Sequence, residues 1–65
     1  MLEFREYPGY DNYKVVYDET TEIGILSKRK NLWVFVPDPY LSYYYQSHLE
    51  QLATKLKELN EVHLG

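Results

Sequence analysis

Eight tyrosines, one tryptophan and two phenylalanines are spread over a 65-residue chain, and nothing else in the sequence constrains its fold as strongly. A folded chain of this size buries only about 60% of the surface that its unfolded form exposes. Some of these rings must therefore stand at the surface, where aromatic area marks contact sites.

The length permits one domain, residues 1–65, with one modest core. Hydrophobic residues make up 45% and charged residues 26% of the chain, which suits a globular domain and not a disordered tail. There is no cysteine, so a disulfide staple, a thiolate nucleophile and a cysteine zinc site are excluded. No apolar run approaches the roughly 20 residues needed to span a bilayer, and no leader-like N-terminal segment stands out. The expectation is a cytoplasmic protein. Ten acidic residues against seven basic ones give a net charge of −3. Nucleic-acid binders usually carry the opposite balance, because neutralising phosphate supplies much of their affinity.

Three strands are read over residues 13–36. Tyr13-Lys14-Val15-Val16-Tyr17 is β-branched and aromatic and ends in the polar turn Asp18-Glu19-Thr20-Thr21. Ile23 to Ser27 and Leu32 to Val36 follow, separated by a second turn, Lys28 to Asn31, and Pro37 stops the last strand. With two simple four-residue turns, Tyr17 faces Glu22, Val15 faces Gly24, and Tyr13 faces Leu26. Across the second turn Leu26 faces Trp33 and Gly24 faces Phe35. Alternation then gathers Tyr13, Tyr17, Trp33 and Phe35 on one side. Val16, Ile23, Ile25, Leu32, Val34 and Val36 gather on the other, with Lys14 at the edge. Residues 1–12 form an N-terminal segment that joins as a fourth edge strand before the Pro8-Gly9 turn or lies across the aromatic side.

The C-terminal third reads as a helix over 39–60, with Asp38 as cap and Pro39 in the first turn, or with Ser42 as a later cap. Leu41, Tyr45, Leu49, Leu52, Leu56, Leu59 and His63 form an amphipathic stripe that should pack on the aliphatic sheet side. The helix ends at Asn60 or Gly65. The expected class is therefore α+β: a three-stranded antiparallel meander, with room for a fourth N-terminal strand, packed on one C-terminal helix.

No constellation supports catalysis. His48 and His63 do not share a metal-binding spacing, the glycines at 9, 24 and 65 make no phosphate loop, and the acidic residues lack a nucleophilic or basic partner. The chain is read as non-enzymatic, without cofactor or metal. Candidate partner-binding residues are Tyr40, Tyr43 and Tyr44 at the helix start, or Tyr13, Tyr17, Trp33 and Phe35 on the sheet. Asp18, Glu19 and Glu22 would steer a basic protein. The partner is another protein, a second copy of the chain as a homodimer, or both; membrane association is not expected. The alternative is a nucleic-acid module in which Lys28, Arg29 and Lys30 hold phosphates beside an aromatic stacking face.

Pro8-Gly9-Tyr10-Asp11-Asn12-Tyr13-Lys14-Val15 resembles the Pro-Gly-Tyr-acidic-x-Tyr-x-Val stretch that opens the DNA-contacting module of HNH homing endonucleases. The Ser-Asn-x-Gly turn and basic strand that follow in that family are replaced here by Val16 to Thr21, with Ser27-Lys28-Arg29 as an echo, and the nuclease motif is absent. The resemblance implies Lys28, Arg29 and Lys30 as phosphate contacts. In layout, a meander followed by one helix is similar to the arm-binding domains of phage integrases and to the AP2 type of DNA-binding domain. Tiny, acidic and tyrosine-rich, the chain is also similar in style to small uncharacterised proteins of phages and mobile elements. That likeness implies an inhibitor or adaptor acting on a host or defence protein.

Overall fold

The computed structural model describes residues 1–64, with side chains as far as Glu61. Gly65, one of the two expected helix ends, and the side chain of His63, last in the expected stripe, lie outside the described residues. Strands β1 (Leu2–Tyr7), β2 (Tyr10–Asp18), β3 (Thr21–Arg29) and β4 (Leu32–Pro37) precede helix α1 (Gln46–Leu64). All neighbours pair antiparallel in the order β1-β2-β3-β4. The α+β meander is as expected, and the N-terminal segment is its fourth strand.

Each hairpin turns on two residues. Pro8-Gly9 links the paired Tyr7 and Tyr10, with proline supplying the fixed φ and Gly9 the positive one (φ 84°) that a type II turn requires. Glu19 (φ 58°) and Thr20 link β2 to β3. Lys30 and Asn31 both take positive φ (50° and 68°), the type I′ geometry whose twist matches that of the flanking strands. The four-residue turns expected from the sequence are therefore shorter, because Asp18, Thr21, Lys28 and Arg29 continue the ladders.

The register departs from the expected one at two places. In β3–β4 the tighter turn slides the pairing by two residues, so Leu26 faces Phe35 rather than Trp33, and Gly24 faces Pro37 rather than Phe35. A slide of two keeps every side chain on its face. In β2–β3, Tyr17 faces Glu22 as expected, but Val16 faces Gly24, so Ile23 is an extra residue opposite the Val16–Tyr17 link. Beyond this bulge Val15 faces Ile25, not Gly24, and Tyr13 faces Ser27, not Leu26. One inserted residue exchanges the faces of one strand relative to the next. Tyr13, Val15 and Tyr17 thereby share a side with Ile25, Val34 and Val36, while Val16 joins Leu26, Trp33 and Phe35. The expected division into an aromatic and an aliphatic face does not occur.

The helix lies on the Val16–Leu26–Phe35 side. Leu2, Val16, Ile23, Leu26 and Leu52 are buried there, with Phe4, Trp33, Phe35, Leu41, Tyr44, Leu56 and Leu59 packed around them. Its first residue is Gln46, not residue 39. Asp38 does cap, but only a single turn: its Oδ1 accepts from Tyr40 N (2.8 Å) and its carbonyl from Leu41 N (3.2 Å). Residues 41–45 then cross the end of the sheet without regular structure. Tyr44 explains the delay, since its ring packs edge-on to Phe35 (5.8 Å between centroids) and its hydroxyl donates to Ile23 O (2.9 Å). A run of aromatic residues with modest helix propensity yields readily to such an anchor. Tyr45, assigned to the stripe, is consequently exposed.

Amide side chains of the helix bind the two outer strands. Asn60 Oδ1 accepts from Trp33 N (2.8 Å) and its Nδ2 donates to Trp33 O (3.3 Å), as a fifth strand would. Asn60 is thus a clamp inside a helix that runs on to Leu64, not its end. At the opposite edge Gln51 Oε1 accepts from Leu2 N (2.8 Å).

Two substitutions test this account. At Gly24 an added Cβ would stand 2.5 Å from Val36 O and 2.7 Å from the Phe35 ring. Gly24→Ala should therefore lower stability by about 2–3 kcal/mol, seen in thermal melts as a loss of roughly 10–20 °C. Asn60→Ala leaves two backbone groups of β4 unpaired and should lower stability by about 1–2 kcal/mol, with faster hydrogen exchange at Trp33 N.

Candidate interaction surfaces

Two surfaces remain after the fold has covered what it can. The first is the sheet face away from α1. Alternation from the buried residues places Val15, Ile25, Val34 and Val36 at its centre, all half-buried among their own neighbours. Leu32 on this face is exposed. At one end Tyr7, Tyr10 and Tyr13 meet ring to ring, with centroids 5.4–6.3 Å apart, and with Ile25 they line a hollow of about 360 Å³. At the other end the Arg5 guanidinium sits 4.3 Å from the centre of the Tyr17 ring and pairs with Glu3 at 2.6 Å. Among the described residues no element lies over this face.

The second surface surrounds the helix start. Tyr40 is 95% exposed, Tyr43 61%, Tyr45 60% and Leu49 54%. Tyr43 and Tyr45 pack edge to face at 5.5 Å. Their hydroxyls hydrogen-bond, which raises the Tyr45 pKa above the ordinary phenol value; the charge of Tyr43 and of Asp18 adds to the effect. Between Lys30 and Lys55 the chain carries no lysine or arginine, so Asp38 meets no such cation from its own segment.

The candidate residues divide accordingly. Tyr40 and Tyr43 are exposed at the helix start, whereas Tyr44 is built into the core. Tyr13 and Tyr17 lie on the open sheet face. Trp33 and Phe35 were expected to share that face and to need a partner for cover; they pack beneath the helix instead. Glu19 and Glu22 are exposed. Asp18 is engaged, with Oδ2 2.9 Å from His48 Nε2. The other ring nitrogen of His48 is buried without a partner, which fits a neutral ring whose Nε2–H donates to Asp18. The pair ties the β2–β3 turn to the first turn of the helix. Of the basic trio, Lys28 pairs with Trp33 on the helix side, while Arg29 and Lys30 are exposed.

Sequence reasoning missed Tyr7 and Tyr10 as surface aromatics, although a cross-strand pair flanking Pro8-Gly9 is a readable signal. It also missed Tyr45 and Leu49, whose spacing fits the stripe so well that only the late helix start exposes them. No protein-family model, curated protein or solved structure matches this chain. No helix among the described residues is long and apolar enough to cross a membrane.

The Tyr43–Tyr45 contact has a spectroscopic consequence. A raised folded pKa means that the neutral phenol is favoured, so the contact contributes below the ordinary tyrosine range and is lost as pH rises through the folded value. In an absorbance titration of phenolate formation Tyr45 should ionise late. Tyr43→Phe should return it towards the other exposed tyrosines, and an unchanged curve would remove the hydrogen bond from the account.

Proposed function

We propose that this chain is a non-catalytic protein-binding module that receives a basic surface of another protein on its helix-start tyrosines, acting as an adaptor or inhibitor. The observation that carries this reading is the exposure of Tyr40, Tyr43 and Tyr45 on a segment without lysine or arginine. With so little cover, these rings leave most of their area free for a partner. Tyrosine offers large contact area with few rotatable bonds, and its ring face attracts guanidinium and ammonium groups. Asp38 and the exposed Glu19 supply the long-range attraction that speeds encounter with a cationic partner. The likeness to small phage proteins agrees with such a role and suggests a host or defence protein as the target.

The nucleic-acid alternative has less support. Its stacking platform is divided, because Trp33 and Phe35 lie under the helix while Tyr13 and Tyr17 lie outside. Lys28 is turned to the helix side, away from Arg29.

Affinity purification with wild type, Tyr40→Ala/Tyr43→Ala and Lys57→Ala distinguishes these readings. A basic protein should be retained by wild type and by Lys57→Ala. The double variant should lose it by about tenfold or more in affinity. Equal retention by the double variant would sink the proposal. Nuclease-sensitive material that is lost on charge reversal at Arg29 and Lys30, with a steep dependence on salt, would install the alternative.

A further inference from the structure

The open sheet face poses a different question, independent of the tyrosines at the helix start. The chain exposes 4992 Å², whereas a compact monomer of 7.8 kDa should expose about 4400 Å². The exposed rings at the helix start and the uncovered sheet face both add to this surplus. Four strands about 4.8 Å apart, each several residues long, present roughly 500 Å². Two such faces together reach about 1,000 Å², the lower limit for a specific interface.

We propose that this face binds a second copy of the chain, sheet against sheet, about a two-fold axis that crosses the strands. The arrangement of residues selects both the occupant and the axis. Tyr7, Tyr10 and Tyr13, the C-terminal end of β3 with Arg29, and Leu32 on β4 stand at one end of the face. Glu3 and Tyr17, then Glu22 on β3, stand at the other, next to the row of Arg5, Val15, Ile25 and Val36. Turning a second copy end for end about this axis lays each strand over its own counterpart. Arg29 then meets Glu22, twice by symmetry, and neither residue has an ion-pair partner among the described residues of its own chain. With the axis that joins them, Val34 meets Val36 of the other copy. The hollow between the three tyrosines receives the Arg5–Tyr17 pair, an arginine against ring faces.

A two-fold axis along the strands fails the same examination. It would set β1 over β4 and β2 over β3, giving Arg29 the carboxylate of Asp11 but laying Arg5 on Val36 and Glu22 on Tyr17, with no opposite charge for Glu22. Burying an unpaired carboxylate in this way is strongly unfavourable. The end-for-end pairing is isologous, as homodimer interfaces usually are, and its modest area implies an association that depends on concentration.

Light scattering on a sizing column, from roughly 10 µM to 1 mM to span weak affinities, tests this directly. Wild type should climb from 7.8 kDa towards twice that mass. Arg29→Glu and Glu22→Arg, each with an intact circular dichroism spectrum, should stay monomeric over the same range. Mixed in equal amounts they should dimerise again, since one carries acid at both positions and the other base. Val34→Lys should abolish the dimer, and Tyr40→Ala/Tyr43→Ala should leave it unchanged. In wild type, the amide signals of Val15, Ile25 and Val34 should shift on dilution, which requires no variant to fold. A monomer at every concentration would overturn the proposal and leave the tyrosine reading untouched. A wild-type dimer indifferent to Val34→Lys, or charge variants that dimerise alone or do not recover when mixed, would overturn it equally.

Discussion

The extra residue in β3 opposite Val16 governs the rest of the architecture. A strand has only two faces, and the pairing Val16–Gly24 followed by Tyr17–Glu22 decides which face of β2 meets the helix. With Ile23 inserted, Ile23 and Val16 are both buried in one core. The helix therefore finds a surface built of valine, leucine, isoleucine and aromatic rings together. The bulge also gives Gly24 its role, because the backbone here runs so close to Phe35 and Val36 that no side chain fits. Without the insertion, β2 would turn Tyr13 and Tyr17 towards the helix and present Val16 to water.

Around that core the polar groups of the helix act chiefly as fasteners. Gln51 reaches the backbone of β1, Asn60 that of β4, and His48 the carboxylate of Asp18. These three residues lie on the sheet-facing side of α1, between leucines. A small core supplies limited hydrophobic stabilisation, so directional contacts at its margin decide how the helix sits. Lys14 links strands within the sheet instead, with its ammonium 2.7 Å from Glu6 Oε1 on β1 and 5.6 Å from the centre of the Trp33 ring on β4.

Much of this was legible in the chain. Runs such as Leu32-Trp33-Val34-Phe35-Val36 announce strands, and Leu52, Leu56 and Leu59 announce the inner face of a helix. What could not be read was set by single long-range contacts. The bulge at Ile23 depends on how β2 and β3 jointly fill the core, and no local rule places it. The helix start depends on one hydroxyl, that of Tyr44, finding the carbonyl of Ile23 across the sheet. Leu41 and Tyr45 keep helical spacing with Leu49, so periodicity alone extends the helix too far back. The candidate site inherited both errors: Trp33 and Phe35 moved inside with the exchange of faces, and Tyr45 moved outside with the late start.

The treatment of the β4 edge has a consequence for assembly. A short sheet with exposed borders can grow by adding strands from other molecules, which is a route to fibres. Here Pro37 has no N–H to offer on the last strand, and Asn60 occupies both backbone groups of Trp33. Such a border gives an incoming strand little to template on. Polymerisation by strand addition is blocked on that side, so a protein rich in tyrosine and valine can be made in quantity and still form only finite complexes.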